Sequence, residues 1–228
     1  MKALVLLSGG IDSATALAMA VKEYGNENVY ALSITYGQKH SKEIEASCKI
    51  ASYYKVKTTY LDLTKIFENS NCSLLKKNNL DIPLGTYESQ ILNSDTKTIS
   101  TYVPFRNGLF LSSAASIALS LECDYIYYGA HSDDSKFDAY PDCSIEFNKA
   151  ICDAIYLGSG KKLKVVAPFI GKHKSDIVKI GTELHVPYEL TWSCYNGHEK
   201  ACGKCGTCID RKRAFEINGL KDPIEYEE

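Results

Sequence analysis

Neither sign of charge prevails in this chain: 26 Lys and Arg stand against 28 Asp and Glu, a formal net charge of −2 with a pI near 6.2. That balance excludes nucleic-acid binding driven by a global basic field and favours small polar or anionic partners. Long apolar runs are missing too. Lys2 is followed by only five apolar residues, too few for a signal-peptide core or a membrane span, so a cytoplasmic protein with no membrane attachment is expected. No internal repeat or low-complexity tract breaks the 228 residues, a length that fits one α/β core. No glycine-rich span ends in Gly-Lys-Ser or Gly-Lys-Thr, which rules out a Walker-type phosphate loop. A Ser-His-Asp or Cys-His nucleophile set is not legible either. Cysteine, by contrast, is abundant: nine in a reducing compartment argue for metal or catalytic use before disulfides.

Strand-like apolar and β-branched runs at 3–7, 29–35, 57–63, 125–128 and 163–167 alternate with helix-like segments at 12–24, 41–54, 107–121, 145–157 and 174–184. The alternation implies an α/β fold, a parallel twisted sheet with helices on both faces, whose ligands bind beyond the carboxyl ends of the strands. We expect an α/β domain over 1–190 and a C-terminal metal-binding segment over 191–228 packed on it. The stretch 68–101 shows no regular period and reads as a lid or partner surface.

Ser8-Gly9-Gly10-Ile11-Asp12-Ser13 follows the first strand-like run and opens a helical pattern. Adjacent glycines let the backbone turn sharply and approach an anion, while the following helix turns its free N–H groups and positive dipole end towards it. Asp12 would repel bare phosphate at that position, so it makes most sense beside Mg²⁺.

Cys194, Cys202, Cys205 and Cys208 follow a C-x7-C-x2-C-x2-C pattern, four thiolates from one short segment. Tetrahedral Zn²⁺ is the natural occupant, with an iron–sulfur cluster the alternative. Four Cys leave no open coordination position, which points to a structural role. Lys200, Lys204, Arg211, Lys212 and Arg213 are read as local compensation for the thiolate charge. Of the other cysteines, Cys48, Cys123 and Cys152 are expected to fill core.

Smaller constellations surround the expected crevice. Tyr36-Gly37-Gln38-Lys39-His40 ends the second strand, which makes Gln38 and His40 candidate ligand contacts. In Val103-Pro104-Phe105-Arg106-Asn107, Asn107 stands where a helix N-cap belongs, and Arg106 opposes the dipole unless an anion lies nearby. The same reasoning places an anion, pyrophosphate or carboxylate, near Lys174 in Lys172-His173-Lys174. In Tyr140-Pro141-Asp142-Cys143, and less so at Asp133, a carboxylate is suited to a second Mg²⁺ or to the N–H edge of a purine-like base.

The first hexapeptide resembles the loop of the pyrophosphate-loop ATPases, which split ATP into AMP and pyrophosphate. By that resemblance Leu7, Ser8, Gly9, Gly10, Ile11, Asp12, Ser13, Ala14, Thr15, Ala16 and Leu17 form an ATP-binding segment on an adenine-nucleotide-alpha-hydrolase-like, Rossmann-like fold. Together with the four other constellations and Ser193-Cys194-Tyr195-Asn196-Gly197, the chain resembles the 7-cyano-7-deazaguanine synthase family nearly end to end. The resemblance implies a ligase of queuosine biosynthesis that converts 7-carboxy-7-deazaguanine, ammonia and ATP to the nitrile. It also implies one Zn²⁺ on the four cysteines, Mg²⁺ with ATP, and a homodimer. Asp12, Lys174 and Arg106 are the expected catalytic residues; Gln38, His40, Arg106, Asn107, Tyr140 and Asp142 are the expected substrate contacts. Two departures from the family pattern are a longer 129–140 stretch and Ser144 in place of Arg. The competing readings are a pyrophosphate-loop tRNA sulfur transferase and a zinc-dependent binding module gripping nucleic acid through Arg211-Lys212-Arg213.

Overall fold

Five strands, β1 (Ala3–Leu6), β2 (Val29–Thr35), β3 (Lys57–Asp62), β4 (Tyr125–Tyr127) and β5 (Lys164–Val166), form one parallel sheet in the order β3-β2-β1-β4-β5. The computed structural model describes residues 1–92, 99–135 and 140–227. β1 is central. Its Ala3 pairs with Val29 on one side and Tyr125 on the other, so the strand is covered on every side and carries no polar side chain.

The helices are α1 (Ile11–Tyr24), α2 (Lys42–Tyr54), α3 (Tyr87–Leu92), α4 (Arg106–Ser120), the short α5 (Ser132–Ser135), α6 (Ile145–Gly158), α7 (Lys174–Glu183) and α8 (Gly206–Ile217). Successive strand residues point to opposite faces. Ala3, Val5, Ala31 and Tyr127 therefore meet α1, α2, α7 and α8 through Leu17, Ile50, Ile177 and Phe215. Leu4, Leu32 and Ile126 meet α4 and α6 through Leu111, Ala114 and Ile155. Full burial of such side chains contributes about 1.5–3 kcal/mol each. The sheet with helices on both faces is the architecture expected from the alternating pattern.

The chain runs outward from β1 through β2 to β3, then crosses back to place β4 on the other side of β1. The connections after β1 and β4 consequently part in opposite directions, leaving a crevice beyond their carboxyl ends.

Several sequence expectations need correction. Asn107 is not a helix N-cap: α4 begins one residue earlier, and Phe105, at φ +54°, occupies the capping position without a side-chain hydrogen bond. Asn107 Nδ2 instead donates to Asp142 O (3.1 Å) and Cys143 Sγ (3.1 Å). The stretch 68–101 is not structureless. It contains α3, and Cys72, Leu74 and Leu75 are buried in the core, with Leu75 bridged to Gln38 and Leu84 bridged to Cys205. Residues 93–98 of that stretch, and 136–139 of the longer 129–140 connection, lie outside the described residues. Cys48 is exposed rather than core, and Cys152 is half-buried; only Cys123 of those three is buried. Ser144 caps α6, its Oγ accepting from Phe147 N (3.1 Å).

Among the described residues no helix is long and apolar enough to cross a membrane. α8 packs on α7, and its Phe215 lies edge-on to Tyr188 with ring centroids 5.4 Å apart.

Candidate functional site

The turn after β1 is built by its own side chains. Ser13 Oγ accepts from Ser8 N (3.2 Å) and donates to Gly10 O (3.1 Å). Gly9 adopts φ +93°, and a Cβ there would run into the backbone carbonyl of Glu43. Gly10 supplies no side-chain cap to α1, so the N–H groups of its first turn point towards the crevice unclaimed by a capping side chain.

Asp12 stands at that helix start. Its Oδ2 lies 3.5 Å from Lys174 Nζ and 3.6 Å from His131 Nε2, and both of these side chains are buried. Its Oδ1 is buried and has no hydrogen-bond partner among the described residues. Lys174 opens α7, where an anion was expected, and protein carboxylates are there. Asp133 accepts from Lys174 N (2.8 Å) and meets His173 Nδ1 (2.9 Å), while Asp176 accepts from His173 N (2.9 Å).

These groups open into one pocket at the switch point, which is lined by Leu7, Ser8, Gly10, Asp12, Ser13, Gln38, Arg106, Asn107 and Lys174 from the sequence-level candidates. Gly9, Ile11, Ala14, Thr15, Ala16 and Leu17 do not line it. Ile11 and the last four are buried in α1, Thr15 Oγ1 bonding to Tyr188 OH (3.0 Å). His40, Tyr140 and Asp142 stand outside as well. His40 packs against Gly197, and burial lowers its pKa. Tyr140 OH pairs with Thr101 Oγ1 (2.8 Å), and the buried Asp142 carboxylate accepts from Asn107 N (2.8 Å) at the start of α4.

Arg106 is half-buried, its guanidinium 5.4 Å from the Tyr36 ring centroid and 5.9 Å from that of Phe110. Burial alone would lower its pKa, but facing Tyr36, Tyr195, Asp142 and Cys143 more than reverse this, so the charge is secure. The pocket also includes Glu43, Tyr87, Trp192, Ser193, Tyr195 and Thr207, which sequence reasoning had not singled out as site residues. Glu43 sits in the first turn of α2, where an acid is already accounted for by the helix dipole, and so gave no signal.

One wall of the pocket joins the cysteine cluster. Trp192 N donates to Gly9 O (2.9 Å), and Trp192 Nε1 donates to Cys194 O (2.9 Å). The four ligand atoms of Cys194, Cys202, Cys205 and Cys208 all lie within 4.8 Å of one another, and all four residues are buried. Cys202 N and Cys205 N approach Cys194 Sγ and Cys202 Sγ at 3.3 and 3.4 Å. Hydrogen bonds from Cys194 and Cys208 pull Cys205 below the usual thiol range. Four buried sulfurs at this spacing could hold a metal ion, and the donor set fits a four-coordinate one.

Arg211 does not compensate those thiolates. It is fully buried and holds Asp222 through Nε (2.8 Å) and Nη2 (2.9 Å), with Thr191 Oγ1 (2.8 Å) and Tyr188 O (3.2 Å) on its remaining donors. Lys200 pairs with Glu225, and Lys212 lies over the Tyr226 ring. These side chains fasten the C-terminal segment.

Residues 2–219 match the family described as "Queuosine biosynthesis protein QueC". The chain belongs to the QueC family. It is 44% identical to the 7-cyano-7-deazaguanine synthase of Pseudoalteromonas atlantica over 99% of both chains. It is 45% identical to that of Caldicellulosiruptor saccharolyticus over 100% of this chain and 96% of the relative. Against the 7-cyano-7-deazaguanine synthase of Archaeoglobus fulgidus it is 42% identical over 100% and 91%. QueC membership thus gives the chain an enzyme's role in queuosine biosynthesis, among relatives named as synthases, as the sequence resemblance implied. Among solved structures, NMN synthetase from Francisella tularensis aligns with TM-score 0.52 at 14% identity, covering 96% of this chain and 78% of that one. The U34-tRNA thiolase NcsA from Methanococcus maripaludis aligns with TM-score 0.50 at 16% identity, covering 96% and 65%. Both likenesses are of fold alone.

Proposed function

We propose that this QueC chain binds ATP and 7-carboxy-7-deazaguanine in the switch-point pocket and converts the acid, with free ammonia, to 7-cyano-7-deazaguanine. The observation that carries the reading is the meeting of a phosphate-type loop, Asp12, Lys174 and Arg106 in one pocket of a chain related end to end to named synthases.

A carboxylate is a poor electrophile. Its oxygen attacks the α-phosphorus of ATP, pyrophosphate leaves, and ammonia displaces AMP from the acyl adenylate to give the primary amide and a proton. Removing the amide oxygen needs the same activation: it attacks the α-phosphorus of a second ATP, pyrophosphate leaves, and the amide nitrogen gives up its two protons as AMP departs with the oxygen and the nitrile forms. Two ATP are used per nitrile.

Ser8, Gly10 and Ser13 offer donors to the departing pyrophosphate, and Lys174 offers its charge to the same phosphates. Asp12, whose Oδ1 has no hydrogen-bond partner among the described residues, fits a Mg²⁺ ligand, and Mg²⁺ there would neutralise phosphate charge. Arg106 and Asn107 orient the second reactant across the pocket. Gln38 lines the same wall. Zn²⁺ fits the four buried thiolates, closing every coordination position, so its contribution is to hold residues 191–228 against the domain formed by 1–190.

Purified protein incubated with Mg-ATP, ammonia and the carboxylic acid should yield nitrile and AMP by mass spectrometry. Asp12→Asn should lower the rate about 10²- to 10³-fold without unfolding the chain. AMP without nitrile would move the reading to another acceptor, and formation of neither would overturn it.

A further inference from the structure

Among the described residues two acidic side chains line the pocket, Asp12 and Glu43. Asp12 faces Lys174 and His131, whereas Glu43 stands beside Tyr36 and Arg106. The Asp142 carboxylate, expected from sequence to meet a second Mg²⁺ or a purine-like edge, accepts from Asn107 N. Among the described residues Glu43 has no hydrogen-bond or ion-pair partner on its carboxylate. Arg106, a cation whose charge acts on it, is held over the Tyr36 and Phe110 rings rather than paired with it. The pocket that Glu43 lines is apolar in part, through Leu32, Ile34, Ile44 and Phe110. A carboxylate in such a wall is costly unless a ligand brings donors to it, and the apolar side chains suit a flat heteroaromatic ring.

We propose that Glu43 recognises the base bound in this pocket, its carboxylate accepting hydrogen bonds from the N–H edge of a purine-type ring. The proposal rests on the reading that the pocket takes ATP and a deazaguanine acid, and either ring has such an edge. A guanine-type ring presents a ring N–H beside an exocyclic amine, two donors for two carboxylate oxygens. Adenine presents one amine donor beside a ring-nitrogen acceptor, which a carboxylate satisfies by half and a side-chain amide satisfies fully.

The test uses the full chain with its metal and the fluorescence of Trp192, the single tryptophan, which lines the pocket. Wild type, Glu43→Ala and Glu43→Gln are titrated with Mg-α,β-methylene-ATP and with 7-carboxy-7-deazaguanine, each alone and with the other present. Glu43→Ala is expected to weaken one ligand about ten-fold and to leave the other within about two-fold. If the weakened ligand is the deazaguanine and Gln fails to rescue it, Glu43 reads the substrate base. If it is the nucleotide and Gln restores binding, Glu43 reads adenine; both outcomes uphold the proposal. Ala leaving both affinities within two-fold, or Ala and Gln weakening both ligands equally, overturns it while the functional reading stands. A wild-type protein that binds neither ligand overturns the functional reading and this proposal together.

Discussion

Glu43 holds its charge at a cost. Burial in the pocket wall pushes its carboxyl up to about 7 from an ordinary 4.5, with Arg106 pulling the other way. Because the folded value exceeds the unfolded one, the group contributes stability below about 4.5 that is lost as pH rises through 7. Glu43→Gln removes that dependence. The variant should be more stable than wild type at pH 8 by about 1 kcal/mol, a figure reduced for the water that reaches the pocket, with the gap shrinking towards pH 4.5. Urea unfolding at pH 5 and pH 8 checks this, and a gap that does not change with pH would contradict it. Neither Glu43 nor the true role of Asn107 was legible in the sequence. A first-turn acid and an Asn at a helix start both have sufficient local explanations, whereas Asn107 is fixed by Asp142 and Cys143, 35 and 36 residues away.

The strands were legible because burial on both faces leaves only apolar residues, as in Ala3–Leu6, and the glycines after β1 were legible because φ +93° at Gly9 favours glycine. The 68–101 stretch was not. It is pinned to the rest of the chain through isolated bridges, buried Leu75 to Gln38 and exposed Leu84 to Cys205, which leave no periodic trace. Arg211 was misread for a similar reason: its partner, Asp222, lies past the end of α8 and is invisible to a count of nearby thiolates. That pair ties α8 to the segment carrying Tyr188 and Thr191. Asp222→Ala strands a fully buried guanidinium and should destabilise the protein by about 3–5 kcal/mol, read as a lower urea midpoint. A loss below about 1 kcal/mol would mean that water or another acceptor replaces the carboxylate.

Across the whole molecule, the cysteine cluster and the loop after β1 are mechanically joined through Trp192, which bonds both Gly9 and Cys194. Metal removal by a chelator should therefore shift Trp192 emission and make the four cluster thiols reactive. Hydrogen exchange should rise over 192–208, while Ala214 and Phe215, embedded in the main core, keep their part of α8 protected. Unchanged emission after complete chelation would show the two parts to be independent. The claim that joins loop, pocket and family is that ATP activates a carboxylate oxygen and then an amide oxygen. The most direct measurement is the fate of that oxygen: 7-carboxy-7-deazaguanine carrying ¹⁸O in both carboxylate positions, with excess unlabelled water, and mass spectrometry of every product. Two AMP per nitrile are expected, each carrying one ¹⁸O, with unlabelled pyrophosphate. Label in released water or pyrophosphate, with AMP unlabelled, would contradict that claim.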